Sequence, residues 1–199
     1  MINIRKLSFA GISYYRMALG YGDISFCPEK LDVLVDFRHS QEAIRNTTMA
    51  KCCINLPMTD VGSKYRNIRI PCINDLLEFY IEIVERYQPE FRQLNTIVRN
   101  NKLVGFGCYF GKDRTGIASY LLSKMYGLPW ERIIYDYEQS GIELIKNIDY
   151  LSSHWKKRNI TKQDYMNRLK TDGKAILQLD DYIIKKYGSV ANYLTQYTQ

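Results

Sequence analysis

The decisive stretch of this sequence is Gly105-Phe106-Gly107-Cys108-Tyr109-Phe110-Gly111-Lys112-Asp113-Arg114-Thr115-Gly116. The residues from Leu103 to Gly107 lead into the cysteine and predict a buried strand. A helix is predicted to follow, marked by apolar residues at helical spacing: Ile117, Leu121, Met125 and Leu128. A loop that enters a helix leaves backbone N–H groups unpaired, and these groups together with the helix dipole bind anions. The stretch therefore predicts an oxyanion-binding loop, which we term the 108–114 loop.

The side chains of the 108–114 loop suit transfer of a phosphoryl group to sulfur. The guanidinium of Arg114 can bind two phosphate oxygens through paired, charge-assisted hydrogen bonds. The helix N-terminus and nearby cations favour the thiolate of Cys108, which we expect to form a phosphocysteine that water then hydrolyses. Thr115 is expected to donate its hydroxyl to the sulfur. The predicted phosphate-binding residues are Tyr109, Phe110, Gly111, Lys112, Asp113 and Arg114.

The nearest competing motif is the nucleotide-binding loop, which needs four residues between its first glycine and Gly-Lys-Ser/Thr. Here three residues separate Gly107 from Gly111, five separate Gly105 from it, and Asp113 replaces the hydroxyl residue. The spacing argues against that motif. Cysteine and arginine six positions apart also occur by chance, as a small buried residue and a surface cation. The added Gly-Lys-Asp and Thr-Gly at the strand-to-helix turn favour the catalytic interpretation.

The flanking sequence predicts an α/β domain. Two further apolar runs, Leu31 to Phe37 and Cys52 to Pro57, read as strands. A helix is expected to begin at Asn74 as N-cap, to break at Gln88-Pro89 and to resume as a shorter helix. Since strands alternate with helices and the second half is largely helical, we predict a mostly parallel central sheet flanked by helices, in one domain over residues 1–199.

Composition narrows the range of partners. Lysine and arginine total 28 against 21 acidic residues, a net charge of +7 that favours anionic ligands. These charges are scattered, so we predict no nucleic-acid partner. Five cysteines without regular spacing and only two histidines predict neither a disulfide framework nor a metal, and no cofactor is expected. The absence of a signal peptide or of a long apolar run predicts a cytoplasmic location without stable membrane insertion, with unconventional secretion left open.

The motif Cys-x-x-Gly-Lys-Asp-Arg-Thr-Gly resembles the active-site loop of the bacterial and fungal tyrosine phosphatases related to the mycobacterial secreted phosphatase. That family belongs to the Cys-x5-Arg protein-tyrosine-phosphatase superfamily. Shorter similarities to its other segments occur in the expected order: Asn3 to Leu7, Tyr15-Arg16, Val35 to Arg38 with Glu42, Asp136-Tyr137 with Ser140, and Tyr187 to Leu194. The resemblance implies a tyrosine-phosphatase-like fold, a bacterial type of enzyme and phosphomonoester hydrolysis.

One position departs from this family, because Gly107 stands where the family has a histidine that helps to orient the loop. A catalytically inactive, phosphate-binding relative is therefore an alternative. A third interpretation is a thiol redox or sulfur-transfer enzyme, for which Cys52, Cys53 and Cys72 are candidate resolving cysteines. Whether Cys52 and Cys53 protect Cys108 from oxidation is left open.

Two aspartates are candidates for the general acid that protonates the leaving group. The resemblance favours Asp60, on the loop after the strand that ends near Pro57, and Asp113 is the alternative. Asp36 and Arg38 are supporting residues, which either line the mouth of the site or form an ion pair that braces the strand end.

The expected substrate is a phosphorylated protein, with phosphotyrosine first and phosphoserine or phosphothreonine next, and the loop is expected to accept inorganic phosphate or another oxyanion. Lys112 resembles a lysine in relatives that accept phosphoinositides, so these lipids are a further expected class of substrate. The alternative is that Lys112 is simply a solvated residue. Tyr109 and Phe110 are expected either to contact an aromatic substrate ring or to pack in the core.

Overall fold

The computed structural model describes residues 2–20, 27–68 and 71–195. In these ranges five strands form one sheet: β1 (Arg5–Phe9), β2 (Ile12–Ala18), β3 (Leu31–Asp36), β4 (Ala50–Asn55) and β5 (Val104–Cys108). Their order is β1-β2-β5-β3-β4. β1 runs antiparallel to β2, whereas β5 is parallel to both of its neighbours and β3 is parallel to β4. The predicted α/β class with a mostly parallel sheet is confirmed.

Helices occupy most of the remaining described chain. They are α1 (Ser63–Asn67), α2 (Ile73–Arg86), α3 (Gln88–Asn100), α4 (Asp113–Met125), α5 (Trp130–Lys146), α6 (Ser152–Lys157), α7 (Lys162–Leu169), α8 (Gly173–Tyr187) and α9 (Val190–Thr195). A 3-10 turn, Ile148–Leu151, lies between α5 and α6. The largely helical second half that the sequence predicts is therefore present.

The ends of two helices show how far local sequence signals determine the fold. α2 begins at Ile73 rather than after an Asn74 cap, because the carboxylate of Asp75 accepts a hydrogen bond from the amide of Cys72 at 2.8 Å. The break was predicted at Gln88-Pro89. In the structure it is one residue long, Tyr87, and lies between α2 and α3. α4 ends where predicted, before Gly127, whose φ of 79° takes the left-handed conformation that glycine allows.

The two faces of the sheet pack differently. Helices α3 and α4 contact β2 and β5 on one face, where Tyr14, Val35 and Phe106 join the main core. On the other face Met17 and Leu34 belong to a smaller cluster, against which residues outside the helices pack, such as Ile4 and Ile44. Burial of these side chains is the main favourable contribution to folding, since apolar area removed from water contributes roughly 25 cal/mol per Å².

Parallel pairing places the carboxyl ends of the central strands at one edge. β5 lies between β2 and β3, so Cys108 at its end is level with Ala18 and lies beside the end of β3 at Asp36. Ligands of such sheets bind at this edge. The single domain expected over residues 1–199 stays a prediction, and Met1, 21–26, 69–70 and 196–199 lie outside the described residues.

Candidate active site

A cavity of about 370 Å³ opens at the carboxyl end of β5. The 108–114 loop forms its floor, since Cys108 ends β5 and Asp113 begins α4. Its lining from the loop and the surrounding segments is Arg38, His39, Glu42, Met58, Thr59, Val61, Tyr65, Phe79, Cys108, Tyr109, Phe110, Lys112, Asp113, Arg114, His154, Arg158, Tyr165, Arg168 and Leu169. The cavity therefore combines an apolar and aromatic wall with several cations.

Every backbone carbonyl from residue 107 to residue 112 accepts a hydrogen bond from the surrounding scaffold. Four of the donors are backbone amides: Phe37 to Gly107 at 2.8 Å, Leu19 to Cys108 at 2.8 Å, Gly20 to Tyr109 at 2.9 Å and Gly116 to Lys112 at 2.7 Å. The other two carbonyls are bound by side chains: Asn3 Nδ2 to Phe110 at 2.9 Å and to Gly111 at 3.0 Å, and Arg16 Nη2 to Gly111 at 2.7 Å. The loop is thus anchored through its carbonyls.

This anchoring determines where the amides point. The C=O and N–H groups of a trans peptide are directed oppositely, so carbonyls turned to the scaffold direct the N–H groups of residues 109–113 toward the cavity. Among the described residues no acceptor is within hydrogen-bonding geometry of the amides of Gly111, Lys112 and Asp113. Buried amides without partners are rare in native proteins, and a ring of them forms a site for an oxyanion.

Two glycines allow the loop to lie this close to β2. Gly111 has a φ of 65°, and a Cβ there would lie 2.8 Å from the backbone of Met17 and Ala18. A Cβ at Gly107 would lie 2.4 Å from the carbonyl oxygen of Met17 and 2.8 Å from Leu19 Cγ. The glycine before Cys108 is therefore matched to the packing of β2, which leaves no space for a side chain.

Cys108 is buried at the base of the loop, and its amide donates to Thr115 Oγ1 at 2.9 Å. The expected donation from the hydroxyl of Thr115 to the sulfur stays a prediction, since a hydroxyl that accepts from an amide retains its own proton to donate. In the described structure the threonine oxygen acts as an acceptor and fixes the backbone of Cys108 to the first turn of α4.

Arg114 is oriented by two carbonyls from neighbouring segments, since the amide of Met58 donates to the carbonyl of Phe37 at 3.2 Å. Its Nη1 donates to Phe37 O and to Met58 O, both at 2.9 Å. In the part of the chain that the structure describes, its Nε and Nη2 have no acceptor. One edge of the guanidinium is thus held by the protein, and the other edge retains the two donors that bidentate phosphate binding uses.

Asp113 lines the cavity and is held through one carboxylate oxygen. Tyr80 Oη donates to Asp113 Oδ1 at 2.8 Å, and Lys112 Nζ lies 2.9 Å from the same oxygen. No donor from the described residues contacts Oδ2. Tyr80 is in turn 2.7 Å from the hydroxyl of Tyr137. Sequence analysis assigned neither tyrosine to the site, although Asp136-Tyr137 is one of the segments that resemble the family, because α2 and α5 meet the loop only in the tertiary structure.

Lys112 is buried and not solvated, with 3% of its surface exposed. Burial opposes its positive charge, but Asp113 and the hydroxyls of Tyr65 and Tyr137 outweigh burial and raise the pKa of Lys112 above its usual value. Burial first, then the charge of Asp113, raises the pKa of Tyr80 far above 10. Lys112 is therefore a permanent cation and Tyr80 a permanent hydroxyl donor at neutral pH.

The structure does not bring Asp60 to the cavity. Its side chain is 78% exposed and forms a 3.8 Å ion pair with Arg86, while its amide donates to Tyr87 Oη at 3.0 Å. Its neighbours Thr59 and Val61 do line the cavity. The carboxylate of Asp60 is thus directed to solvent, and the preference for Asp60 as general acid stays a prediction that this geometry does not favour.

Asp36 and Arg38 form the ion pair considered above, and Arg38 also lines the cavity. The carboxylate of Asp36 accepts from Arg38 Nη2 at 2.7 Å and from the amides of Arg38 and Ile44 at 2.9 and 3.0 Å. Arg38 Nη1 donates to Leu19 O at 2.9 Å. The pair thus braces the segment after β3 against the segment after β2, and both interpretations of it are compatible with the structure.

Tyr109 and Phe110 are half-buried and pack against His154 of α6. The ring centroids of Tyr109 and Phe110 are 5.2 Å apart, and each lies 5.4 Å from the imidazole. Burial, then Arg158 and Lys157, lowers the pKa of His154, so this imidazole is neutral at pH 7. The sequence had placed neither His154 nor α6 at the site, because nothing local shows that α6 folds over the loop.

Further parts of the cavity wall come from α1, α2 and α7. The rings of Tyr65 and Phe79 stack at 4.7 Å with an angle of 10° between planes. The guanidinium of Arg168 lies 5.4 Å from the Tyr65 ring. These residues surround the cavity with apolar surface, which the sequence alone did not predict.

Among the described residues, no group of three or more histidine, cysteine or acidic side chains is positioned to bind a metal ion. None of the helices in the described ranges has the length and apolar composition that a membrane crossing requires. Cys52 and Cys53 lie on edge strand β4 and Cys72 lies before α2, so these cysteines do not line the cavity.

Comparison with known proteins yields one family match. A model described as "Tyrosine phosphatase family" matches residues 29–199, a range that includes the entire 108–114 loop. No curated protein matches the chain. The match covers well over half of the sequence and begins before β3.

Proposed function

The chain belongs to the tyrosine phosphatase family, and from this membership we propose that it hydrolyses phosphomonoesters through a phosphocysteine intermediate on Cys108. The observation that carries this proposal is the anchoring of the loop carbonyls from 107 to 112, which directs the amides of Gly111, Lys112 and Asp113 into the cavity. A dianionic phosphoryl group fits such a ring of donors at the N-terminus of α4.

The proposed reaction has two steps. The thiolate Sγ of Cys108 attacks phosphorus, the bond from phosphorus to the leaving oxygen breaks, and a carboxylic acid protonates that oxygen. A water molecule then attacks phosphorus, its proton passes to the carboxylate, and the phosphorus–sulfur bond breaks to restore the thiolate. Arg114 binds the equatorial oxygens with Nε and Nη2 in both steps. Inorganic phosphate is the product.

We assign the acid to Asp113. Its Oδ1 is bound by Tyr80 and lies beside Lys112, so the exchangeable proton is carried by Oδ2, which has no donor partner among the described residues. Asp113 lines the cavity, whereas the carboxylate of Asp60 points to solvent. Lys112 supplies a buried positive charge next to the same site. Thr115 positions Cys108 through its amide.

The expected substrate is phosphotyrosine in a protein. The cavity wall contains apolar and aromatic residues, among them Met58, Val61, Phe79 and Leu169, and an aryl ring gains more from such contacts than a serine or threonine side chain does. Phosphoserine or phosphothreonine peptides and phosphoinositides are the comparison substrates, the latter because of the buried cation of Lys112 and the arginines at the cavity.

Thiol redox chemistry finds little support in the geometry. Cys53 is on β4, two strands from β5, and neighbouring strands are about 4.8 Å apart. Its register partner Leu34 is also paired with Gly105, so Cys108 lies three residues further along the sheet. Disulfides need Cα atoms within about 7 Å, and Cys53 cannot meet that limit without moving the strands.

The test is the initial rate of para-nitrophenyl phosphate hydrolysis from pH 4.5 to 8, for the wild type and Cys108→Ser. We expect turnover by the wild type, a loss of roughly 10⁴-fold or more in the variant, and a phosphorylated Cys108 after rapid quenching. If the wild type binds vanadate but neither hydrolyses the ester nor traps phosphate, the inactive phosphate-binding alternative is correct.

A further inference from the structure

Two of the six loop carbonyls depend on side chains for their hydrogen bonds, and both side chains come from the N-terminal strand region. Asn3 Nδ2 binds the carbonyls of Phe110 and Gly111, and Arg16 Nη2 binds the carbonyl of Gly111. We propose that Arg16 and Asn3 are positioning residues that orient the 108–114 loop from behind, so that its amides face an oxyanion. This inference rests on the anion site of the proposed function.

The geometry shows which amides depend on them. The carbonyl of Phe110 shares a peptide plane with the amide of Gly111, and the carbonyl of Gly111 shares one with the amide of Lys112. Rotation of either plane would turn the amide away from the cavity. Gly111 has no Cβ to limit its backbone conformations, so its peptide planes need an external constraint. Gly107 likewise has no side chain with which to restrain the loop.

Arg16 also brings charge to the rear of the loop. It is fully buried on β2, and Asp136 is its acidic partner, through Oδ2. Arg5 binds the same carboxylate through Oδ1 at 2.9 Å, and the charge of Glu143 also acts on Arg5, whose side chain is 20% exposed. Burying the guanidinium of Arg16 is unfavourable for stability, and buried charges are typical of sites where the charge has a function. The positive charge of Arg16, directly behind Gly111, favours a dianion in front of it.

Burial alone would raise the pKa of Asp136, but Arg16 and Arg5 outweigh burial and lower it. The carboxylate is thus ionised throughout the neutral range. Ser140 accepts from Arg16 Nη2 at 2.7 Å and from Arg5 Nη2 at 2.9 Å, which fixes both guanidinium groups in place. The cluster is therefore rigid enough to transmit its geometry to the loop.

The experiment measures the affinity for tungstate, an unreactive oxyanion, by calorimetry at pH 6.5. Asn3→Ala removes the amide donor, Arg16→Lys keeps the charge but not the fork that spans Asp136 and Gly111, and Arg16→Met removes both. We expect the dissociation constant to rise about tenfold in Asn3→Ala and Arg16→Lys, and further in Arg16→Met.

The matched control is Tyr14→Phe. Tyr14 lies on the same face of β2 and is fully buried, and its hydrogen bonds, which the variant loses, go to Ser119 and Ser123 rather than to the loop. A purely structural role predicts that tungstate affinity tracks thermal stability in all variants, including this one. A positioning role predicts that the dissociation constant of Tyr14→Phe for tungstate stays within about twofold of the wild-type value, even when its loss of stability is comparable to that of the Asn3 and Arg16 variants.

The inference would be overturned if Asn3→Ala and Arg16→Lys fold and their dissociation constants for tungstate are within twofold of the wild-type value. If the Arg16 variants do not fold, Asn3→Ala decides alone, since it deletes only a few atoms. A wild type that binds tungstate without hydrolysing phosphate esters refutes the proposed turnover but leaves this test valid. A wild type that binds no tungstate refutes both.

Discussion

The hydroxyl of Tyr80, on α2, donates a 2.8 Å hydrogen bond to Oδ1 of Asp113, the first residue of α4. Tyr80 is fully buried, so this bond is shielded from water. The contact joins residues that are 33 positions apart in the sequence, and it restrains the carboxyl group that we propose as general acid. Removing one hydroxyl therefore tests how the acid is controlled.

We expect Tyr80→Phe to shift the basic limb of the pH profile of kcat/KM toward higher pH. A hydroxyl that donates to a carboxylate favours its ionised form, and Tyr80→Phe removes that donor from the general acid that we propose. Tyr80 itself does not titrate in this range, because burial and Asp113 raise its pKa well above 10. Initial rates with a phenyl phosphate ester from pH 5 to 9 measure the shift.

Tyr120→Phe is the matched control for that experiment. Tyr120 is also buried and donates to an aspartate, Asp180, at 2.7 Å, but it does not line the cavity. Its pH profile should coincide with that of the wild type. Equal shifts in both variants would show that the effect is general destabilisation.

We expect Asp113→Asn to lower kcat/KM by roughly 10² to 10⁴-fold for esters with poor leaving groups. The loss should be much smaller for an ester whose leaving group departs without protonation. Asp60→Asn should remain within about twofold of the wild type for both substrates, since its carboxylate is exposed and paired with Arg86. If Asp60→Asn instead shows a large loss of kcat/KM that depends on the leaving group, Asp60 is the general acid.

Arg114→Lys should reduce kcat/KM by about 10² to 10³-fold. Lysine keeps the charge but lacks the planar fork that contacts Phe37 O and Met58 O with one edge and a phosphate with the other. Arg86→Lys, which changes an arginine outside the cavity, should have no such effect. Steady-state kinetics of the two variants make the comparison, and similar losses in both would contradict the assigned role.

Asp136→Asn should lower the free energy of unfolding by about 3–5 kcal/mol at pH 7, because it removes the carboxylate that Arg5 and Arg16 share and leaves the fully buried Arg16 without its acidic partner. The pKa of Asp136 is lowered in the folded protein, so its contribution is complete above the usual value of 3.8 and is lost as the pH falls through the lowered value. Urea denaturation at several pH values should show the two proteins converging in acid.

Asp149→Asn serves as the control for this charge deletion. Asp149 is 82% exposed in its ion pair with Lys162, and exposed pairs contribute at most about 1 kcal/mol. A comparable loss of stability in both variants would mean that burial of the Asp136 cluster is not responsible.

Gly107→Ala should lower stability by about 1–3 kcal/mol and reduce oxyanion affinity. The added Cβ would lie 2.4 Å from Met17 O, and a backbone atom of β2 can move only by disturbing the sheet. Denaturation and tungstate titration of this variant measure the two effects. A variant with wild-type stability would show that the strand accommodates a side chain before Cys108.

The sequence predicted the elements of the site that are close together along the chain. The 108–114 loop, its strand and its helix occupy consecutive positions, and glycine, cysteine and arginine at fixed spacing have few other combined uses. β3 was also predictable, because a buried parallel strand appears as a continuous apolar run. The run from Cys52 to Pro57 likewise predicted β4, although this edge strand is only partly buried. The end of α4 followed from Gly127.

The choice between Asp60 and Asp113 was not predictable in this way. Both aspartates follow a predicted strand, and the orientation of their carboxylates depends on contacts with α2. There Arg86 and Tyr87 hold Asp60 away from the cavity, while Tyr80 holds Asp113 beside it. For the same reason, one interpretation of the sequence placed Lys112 in solvent. In the folded protein Lys112 is buried near Tyr65 and Tyr137.

The sequence by itself determined an α/β fold and a loop that precedes a helix, with a cysteine and an arginine at the spacing from which we predict a nucleophile and a phosphate-binding residue. Local spacing encodes these features because they arise within about a dozen consecutive residues. Only the tertiary structure decided which carboxyl group faces the cavity, and which side chains, Asn3 and Arg16, lie behind the loop. Those contacts join positions from 33 to 108 residues apart, and no local pattern records which distant side chains the packing of the sheet brings together.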